Sequence, residues 1–368
     1  GNFASKAGMS ESLFRFAGAC LGHRRGGVAM AAVGACAGFG AICGSSLATA
    51  ATMGRVALPE LRRMGYSGSL STGALAAGGT LGILIPPSVI LIIYSILTEQ
   101  NIAKMFLAAF VPGILAAIGY LIAIAIFVRI KPDSGPPTSY VGWRQRLNLF
   151  GQVWQILVIF FLVIGGIYLG WFTPTEGASI GAAGTGIMAL FTKGFNFSDL
   201  IDVIKDTAVT SAMIFLVLLG AEFFNSFIAL TQITNELATF VISNELSPYL
   251  VVFCILVLYI LLGCLMDSLA MILLTIPVFF PIIIELDFGM SIEEVAIWFG
   301  ILTLIVVEVG LITPPVGLNV FIINKMAKNV PISDTFIGVL PFLISDLIRV
   351  GILFIFPGIS LFLIRLLG

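Results

Sequence analysis

The segment Gly82-Ile83-Leu84-Ile85-Pro86-Pro87 returns later in the chain as Gly310-Leu311-Ile312-Thr313-Pro314-Pro315. A shorter string ahead of each segment, Ser46-Leu47-Ala48, returns as Ser268-Leu269-Ala270. The shared order and similar separation of these strings indicate a duplicated unit. Each copy places helix-breaking residues inside an apolar run, where an unpaired backbone group finds no water and costs several kcal/mol. Paired interrupted segments in two halves of a membrane protein point to a binding site near the middle of the bilayer.

The composition predicts an all-α polytopic membrane protein. Hydrophobic residues make up 59% of the 368 residues, charged residues make up 10%, and the mean hydropathy is +1.12. These values lie far outside the averages for soluble domains. A formal net charge of -1 offers no basic face for nucleic acid, so we expect no nucleic-acid partner. The five cysteines lie in apolar sequence without a CxxC pair, which is typical of packing residues.

Seven apolar runs are long enough to cross a bilayer, which takes about 20 residues. They are 70–97, 105–130, 152–172, 176–193, 207–230, 293–323 and 336–367. Two more apolar stretches, 27–64 and 249–286, have polar residues at their centres. We interpret both as re-entrant hairpins that enter the membrane, turn and leave on the same side. Residues 9–22 show a helical period on a short segment and predict a helix that lies in the interface.

The positive-inside rule tests the hairpin interpretation. If 27–64 returns to its starting side, twelve of the eighteen Lys and Arg fall in cytoplasmic loops: Arg24, Arg25, Arg62, Arg63, Arg129, Lys131, Arg144, Arg146, Lys193, Lys205, Lys325 and Lys328. The length of 27–44 also permits a full crossing, but that alternative places one basic cluster outside. With five crossings between the hairpins, the second opens to the outside, so the repeat is inverted.

The first hairpin turns at Ser45 and Ser46, where one half-helix ends and the next begins. Half-helix ends expose unpaired carbonyls or amides. Carbonyls and hydroxyls together suit Na⁺, whereas amides at a helix N-terminus suit a carboxylate. The alternative is that Ser46 only caps the following helix. The glycines at 78, 79 and 82 with Pro86-Pro87 cannot continue as an ordinary helix, and the repetition of this break favours a function.

The second hairpin turns at Asp267-Ser268. An ionised carboxylate in the membrane interior is expensive unless it is paired or binds a cation, although Asp267 is also a good helix cap. Capping and ion binding are compatible. Glu308 either lines the site or is a hydrogen-bonded structural acid, and the structural role is favoured. Polar residues in other apolar runs, Arg55, Glu222 and Arg349, pair within the bundle or reach an interface, and Arg55 can also hold an anionic substrate. Four tryptophans near the predicted crossing ends suggest interfacial anchors: Trp143, Trp154, Trp171 and Trp298.

At these breaks the sequence resembles the large membrane subunit of tripartite ATP-independent periplasmic (TRAP) transporters. The similarity rests on 44–54, 78–88, 172–176 and 310–317 and covers nearly the whole chain. It implies an elevator-type, Na⁺-coupled importer in the bacterial inner membrane. It also implies a small four-helix membrane subunit and a periplasmic binding protein that delivers an organic acid, such as a sialic acid or a C4-dicarboxylate. Because the family has membrane segments before the interfacial helix, we expect this chain to begin partway through a longer protein.

The resemblance also implies ligand positions. One Na⁺ site would use Ser45, Ser46, Gly79 and Gly82, and a second would use Asp267, Ser268, Gly310 and Thr313. Substrate would lie between the hairpin turns against Ser46, Thr49, Pro86, Pro87, Pro314 and Asn319. No ATP is expected, since the chain has no Gly-x-x-x-x-Gly-Lys-Ser/Thr sequence.

The sequence then divides into an interfacial arm (1–26), two transport-domain repeats (27–97 and 249–323), scaffold helices with a connecting arm (98–248) and a C-terminal transmembrane helix (324–368). The main rival function is a channel whose filter is built from the helix breaks. An intramembrane enzyme is disfavoured, because no paired carboxylates or Ser/His set lies in the apolar runs.

Overall fold

The fold is helical throughout the part of the chain that the computed structural model describes, residues 1–192 and 194–367. Within these residues, four helices are long and apolar enough to cross a membrane, and a bent pair raises the number to five. Helices satisfy their own backbone hydrogen bonds, as apolar surroundings require. The predicted all-α polytopic class is confirmed, while the predicted cytoplasmic Lys193 lies outside the described residues.

The first part of the chain forms a short N-terminal helix, the predicted interfacial helix, a helix pair and a broken helix. The bounds are α1 Asn2–Lys6, α2 Met9–Leu21, α3 Gly27–Cys43, α4 Ser46–Arg63, α5 Gly68–Leu84, α6 Val89–Leu97 and α7 Ile102–Ile130. Four helices then lead to the second half: α8 Trp143–Tyr168, α9 Pro174–Phe191, α10 Phe197–Thr231 and α11 Ile233–Ser243. The second half repeats the pattern with α12 Pro248–Gly263, α13 Ser268–Ile284, α14 Ile292–Gly310, α15 Leu318–Met326, α16 Ile332–Ile355 and α17 Gly358–Leu367.

Helices α3 and α4 form a hairpin whose open ends meet. The amide of Val28, at the start of α3, donates to the hydroxyl of Tyr66, just after α4, at 3.1 Å. The turn between the helices begins at Gly44, whose φ of 66° is the left-handed conformation that commonly ends a helix. The chain therefore comes back to where it entered the hairpin.

The two arms of this hairpin run in opposite directions along α5. In α3, a Cβ on Gly40 would lie 2.4 Å from the Cα of Gly82, and the Cys36 sulfur lies 2.9 Å from the Cβ position of Gly78. In α4 the order reverses, because Ser45 lies beside Gly82 while the later Ala50 lies beside Gly79. Glycines and other small residues permit this close packing of helices.

The second half repeats the hairpin with α12 and α13. Tyr249, at the start of α12, lies 5.5 Å from Phe288, which follows α13, measured between ring centroids. Its ring also lies 6.3 Å from that of Trp298 near the start of α14. At the other end of α12, a Cβ on Gly263 would lie 3.0 Å from the Cα of Gly310. The first arm of each hairpin thus runs parallel to the first half of the broken helix in its own repeat.

The two broken helices, α5–α6 and α14–α15, lie side by side in opposite directions. At one end, a Cβ on Gly68 would lie 2.8 Å from Val330. In the middle, Asn319 Nδ2 donates to the carbonyl of Ala76 at 3.2 Å. At the other end, the Tyr94 hydroxyl donates to the carbonyl of Ala296 at 2.6 Å. The first hairpin opens near the Val330 end and the second near the Ala296 end, so the two hairpins open toward opposite ends of the helical body.

Three features differ from the sequence-based picture or extend it. The predicted crossing 336–367 is divided into α16 and α17 at Phe356-Pro357, because proline cannot donate the amide that a continuous helix needs. Trp298 was expected at an interface but is fully buried, with Nε1 donating to the carbonyl of Leu353 at 2.9 Å.

Helix α7, assigned by sequence to the scaffold segment, packs against α5, α14, α16 and α17.

Candidate functional site

One buried carboxylate connects the turns of the two hairpins. Ser46 Oγ, from the first turn, donates to Glu308 Oε2, and Ser268 Oγ, from the second turn, donates to Glu308 Oε1 at 2.8 Å. Glu308 is 1% exposed, and Ser46 and Ser268 are 1% and 6% exposed. The two serines are the first residues of the repeated Ser-Leu-Ala strings. The repeat therefore converges on a single acid at the meeting point of its halves.

The residue before each serine explains why that serine is free to reach Glu308. Ser45 is the N-cap of α4 and accepts from the amide of Ala48 at 3.4 Å, and Asp267 is the N-cap of α13 and accepts from the amide of Ala270 at 2.8 Å. Such caps satisfy amides that have no partner within the helix. The serine hydroxyls are therefore left to bind the acid. The alternative that Ser46 only caps α4 is wrong, because Ser45 is the cap and Ser46 binds Glu308, whereas Asp267 does cap α13.

The first helix break lies directly against the first hairpin turn. A Cβ on Gly82 would lie 2.5 Å from Thr49 Oγ1 and 2.8 Å from the Ser45 carbonyl oxygen. Pro86 and Pro87 carry no amide hydrogen, so they cannot donate to the carbonyls of Gly82 and Ile83 four residues earlier. The break thus brings Ser45 and Gly82 together and withdraws the usual donors from two carbonyl oxygens.

Two side-chain oxygens around this break are buried without a partner among the described residues. They are Thr49 Oγ1 and Asn319 Oδ1, and both residues are 0% exposed. Asn319 uses its amide nitrogen on the carbonyl of Ala76, which leaves the oxygen free to accept. A buried polar atom without a partner is costly. Hydroxyl and amide oxygens of this kind fit a hard cation such as Na⁺, which binds oxygen ligands.

The second helix break has a similar backbone arrangement with more of its polar groups paired. Gly263 and Gly310 approach so closely that a Cβ on Gly310 would lie 2.5 Å from the Cα of Gly263. The Gly317 amide donates to the carbonyl of Cys264 at 3.4 Å, which fixes the break against the second turn. Thr313 Oγ1 donates to the carbonyl of Val309 in its own helix at 2.6 Å. Among the described residues, no hydrogen bond joins Asp267 to Thr313.

The six predicted substrate residues differ in accessibility. Ser46, Thr49, Pro86 and Asn319 are buried, Pro87 is partly buried, and Pro314 is exposed. The four buried residues lie around the first turn and break, while Pro314 lies in the second break. The structure therefore places the predicted residues at the two turns and breaks without enclosing them in one pocket.

The sequence favours a structural role for Glu308 over a site-lining one and does not assign it to either ion site. The available signal was an acid in an apolar run, two residues before Gly310. A hydrogen-bonded acid was expected, and the structure supplies the bonds, but their partners are the two repeated serines. The position of Glu308 between the hairpins makes it a candidate functional residue.

A second buried polar chain was also missed. The Thr80 hydroxyl, in the glycine-rich end of α5, lies 2.9 Å from the Tyr120 hydroxyl, which donates to Asp346 Oδ2 at 2.7 Å. Arg349 Nη2 donates to Asp346 Oδ1 at 2.7 Å, and the two side chains are 6% and 2% exposed. Of the two roles left open for Arg349, the structure selects pairing within the bundle. Arg55 and Glu222 are exposed.

The sequence is similar to one protein family over almost its full length. A family model described as "Tripartite ATP-independent periplasmic transporter, DctM component" matches residues 1–359. The C4-dicarboxylate TRAP transporter large permease protein DctM of Pseudomonas aeruginosa is 35% identical, over 100% of this chain and 84% of the relative's length.

Similarity extends to relatives whose names give other substrates. The sialic acid TRAP transporter permease protein SiaT of Haemophilus influenzae is 31% identical over 100% of this chain, which spans 58% of the relative's length. The isethionate TRAP transporter permease protein DctMQ of Oleidesulfovibrio alaskensis is 29% identical over 98% of this chain and 56% of its own length.

Proposed function

Because the chain belongs to the DctM family of TRAP transporter large permeases, we propose that it imports an organic acid by coupling its movement to Na⁺. Its family and apolar helices make it a multi-pass membrane transporter subunit, and its relatives are permeases rather than enzymes. We place it in the bacterial inner membrane, where substrate arrives from the periplasm.

The observation that carries the proposal is the bridge from Ser46 and Ser268 to Glu308. An acid buried between the two hairpin turns costs free energy in a membrane unless a hydrogen-bond partner or a cation compensates it. The side-chain oxygens of Thr49 and Asn319 beside the first break, which have no partner among the described residues, add neutral ligands of the type that Na⁺ prefers. Glu308 lies between the sets predicted for the two Na⁺ sites, Ser45, Ser46, Gly79 and Gly82 on one side and Asp267, Ser268, Gly310 and Thr313 on the other.

The proposed cargo is a carboxylate held between the hairpin turns. Relatives are named for C4-dicarboxylates and sialic acid, and the positive end of the helix dipole at the N-terminus of α4, beside the first turn, favours an anionic group. A periplasmic binding protein would deliver the acid, and a small membrane subunit would bind the helices outside the hairpins. ATP has no part in this scheme.

An elevator movement suits this arrangement. Both hairpins lie against broken helices of their own repeat, and α16 of the second half packs on α5 of the first. A body assembled from both halves can move as a unit and carry the site between the two sides of the membrane. In this scheme the hairpins are re-entrant and their turns meet in mid-membrane.

Uptake into proteoliposomes tests the function. The protein with its small membrane subunit is reconstituted, the periplasmic protein is added outside, and labelled C4-dicarboxylate, sialic acid and isethionate are compared with and without an inward Na⁺ gradient. We expect saturable, Na⁺-dependent accumulation of one acid. Accumulation without regard to Na⁺ would reject coupling, and flux that neither saturates nor follows the gradient would favour a channel.

Serine variants connect the result to the site. Ser46→Ala and Ser268→Ala each remove one donor to Glu308 and should raise the Na⁺ concentration for half-maximal uptake. Ser179→Ala is the control, because that hydroxyl bonds only its own helix at the Thr175 carbonyl. Equal Na⁺ activation in all three variants would remove the serines from the coupling site.

A further inference from the structure

A large basic cavity lies at the end of the body where the first hairpin opens. Its volume is about 1020 Å³, and it lies between α4 and the segment that begins with α15. Five cations line it: Arg55, Arg62, Arg63, Lys325 and Lys328. None of its described lining residues is an Asp or Glu. We call these five residues and the space between them the basic vestibule.

Most of this positive charge is uncompensated. Arg63 pairs with Glu60 at 2.7 Å, whereas the other four cations have no salt bridge within the described residues. The positive-inside rule accounts for cations on the cytoplasmic side, but it does not require them to surround one cavity. Clefts lined by one sign of charge with low-dielectric walls concentrate ions of the opposite sign.

An independent observation at the wall of the vestibule also points to a ligand. Ser71, on α5, is 5% exposed, and its hydroxyl has no hydrogen-bond partner among the described residues. It is one of the residues that line the cavity. A hydroxyl donates to a carboxylate or phosphate oxygen, so the wall offers a directional contact beside the charges.

Helix α4 connects the vestibule to the first hairpin turn. A smaller cavity of about 440 Å³ is lined by Ala48, Thr52 and Arg55, and Arg55 also lines the vestibule. The positions 48, 52, 55, 59 and 62 recur at helical spacing and share one face of α4. In the smaller cavity, hydrogen bonds to Asp202 and Asp199 raise the pKa of Lys6 and compensate its charge. The smaller cavity is also lined by Asp206, and Arg55, which the two cavities share, has no salt bridge among the described residues.

We propose that the basic vestibule is a binding site for the transported carboxylate on its way to the cytoplasm, reached from the hairpin turns along the outer face of α4. This inference rests on the proposed function, because it takes the cargo to be an organic acid. The cations of α4 and of the α15 segment receive the acid after it leaves the turns. Lumenal acid that fills the vestibule therefore opposes further import.

The test measures inhibition of Na⁺-driven uptake by the same acid loaded inside the proteoliposomes. The variant Arg62→Gln/Lys325→Gln/Lys328→Gln removes three vestibule cations. The matched control Arg24→Gln/Arg129→Gln/Arg144→Gln removes three exposed cations from the same predicted side that do not line the cavity. We expect the vestibule variant to need about tenfold more lumenal acid for half-inhibition, with the KM for external substrate unchanged. The control should match the wild type.

Ionic strength and lipid composition separate the anions that could occupy the vestibule. The Debye length falls from about 30 Å at 0.01 M salt to about 8 Å at 0.15 M, so the difference between variant and wild type should shrink with salt. Lumenal inorganic phosphate should inhibit less than the acid, and equal inhibition would overturn the carboxylate assignment. If the variant's defect disappears in liposomes without phosphatidylglycerol, the site binds lipid headgroups and the proposal is wrong.

The outcomes distinguish this inference from the proposed function. Wild-type protein that shows no Na⁺-driven uptake overturns the proposed function and this inference with it. Na⁺-driven uptake with the same lumenal half-inhibition in wild type, variant and control overturns the vestibule alone. We expect both variants to fold, because all substituted side chains are exposed. Size-exclusion profiles of the three proteins check this.

Discussion

At the scale of single residues, Glu308 is the group on which both halves of the molecule depend. Its two oxygens accept from Ser46 and Ser268, so a change at this side chain acts on both hairpin turns. Glu308→Gln keeps the size of the side chain but replaces one acceptor oxygen with an amide donor, so the side chain no longer accepts from both serines. A buried donor left without its partner costs about 1–3 kcal/mol. We therefore expect Na⁺-dependent uptake to fall by about tenfold to a hundredfold.

The control for this substitution is Glu222→Gln, because Glu222 is exposed on α10. Uptake as a function of Na⁺ concentration is measured for both variants, with the amount of protein in the membrane determined in parallel. If Glu308→Gln keeps wild-type Na⁺ activation, Glu308 has a structural role only.

Substitution of Asp346 or Arg349 should change the stability of the fold and not only the Na⁺ dependence of uptake. Both side chains are almost completely buried. Removal of one partner of such a pair leaves an uncompensated charge and costs about 3–5 kcal/mol. Arg349→Leu should therefore lower the thermal unfolding temperature in detergent strongly, and Asp346→Asn in the same chain should restore part of the loss.

Arg365 provides the comparison for this pair. It bonds Glu294 at 2.8 Å, but its side chain is 54% exposed, and exposed ion pairs contribute no more than about 1 kcal/mol. Arg365→Leu should leave the unfolding temperature nearly unchanged. Equal shifts for Arg349→Leu and Arg365→Leu would show that the buried pair is not a stabilising contact.

The sequence predicted some of these residues because their signal is local. Ser46 and Ser268 stand out through a repeated string, and Asp267 stands out as an acid beside a turn. Glu308 lies 262 positions from Ser46, and no local pattern shows that the two meet. The chain from Thr80 to Asp346 was missed for the same reason, since three helices contribute to it.

At the scale of helices, close approach between a hairpin turn and a broken helix depends on glycine. Gly82→Ala should disrupt the first break, because the added Cβ would meet Thr49 Oγ1 at 2.5 Å and the Ser45 carbonyl at 2.8 Å. We expect this variant to lose most Na⁺-dependent uptake. The measurement is uptake per amount of folded protein, with folding judged by size exclusion.

Gly34→Ala is the matched control. Gly34 lies in α3, is exposed, and has nothing within 4 Å of its Cβ position. Alanine is a better helix former than glycine by about 1 kcal/mol, so this variant should be at least as stable as the wild type and should transport normally. Normal transport by Gly82→Ala would mean that the first turn does not need its observed contact with α5.

Most helices follow from apolar runs and their interruptions. Proline follows the end of α5, glycine ends α14, and a hydroxyl or acid marks the start of α4 and α13. The expectation that the glycines interrupt the first broken helix is wrong, because α5 continues through Gly78, Gly79 and Gly82 to Leu84 and only the prolines end it. The break at Pro357 was missed because a lone proline in an apolar run is often tolerated within a helix, as Pro112 is within α7. Trp298 was misplaced because distance from the end of an apolar run does not reveal packing. Its neighbours Tyr249, Phe288 and Phe354 come from three separate segments.

At the scale of the whole molecule, charge predicts an inverted repeat, and the two hairpins open toward opposite ends of the helical body. The distribution of Lys and Arg predicts that the two hairpins open toward opposite sides of the membrane. In the structure the two broken helices are antiparallel, as this prediction requires. The sequence did not predict that α7 and α16 each pack against both α5 and α14. The hydrophobic pattern of a membrane helix does not show which other helix it contacts, because its faces are apolar whether they meet the same half of the chain or the other half.

This arrangement makes a prediction about sidedness. Arg25 and Arg63 flank the first hairpin, while Glu99 and Asp287 lie at the end where the second hairpin opens, and all four are exposed. Single Cys substitutions at these positions are treated on intact cells with a maleimide that does not cross the inner membrane but reaches the periplasm. Glu99→Cys and Asp287→Cys should react at once, whereas Arg25→Cys and Arg63→Cys should react only after the membrane is permeabilised. The parent chain gives the background from its own five cysteines. Opposite labelling of positions 25 and 63 would make 27–44 a full crossing, and shared labelling of positions 63 and 287 would remove the inversion on which alternating access is based.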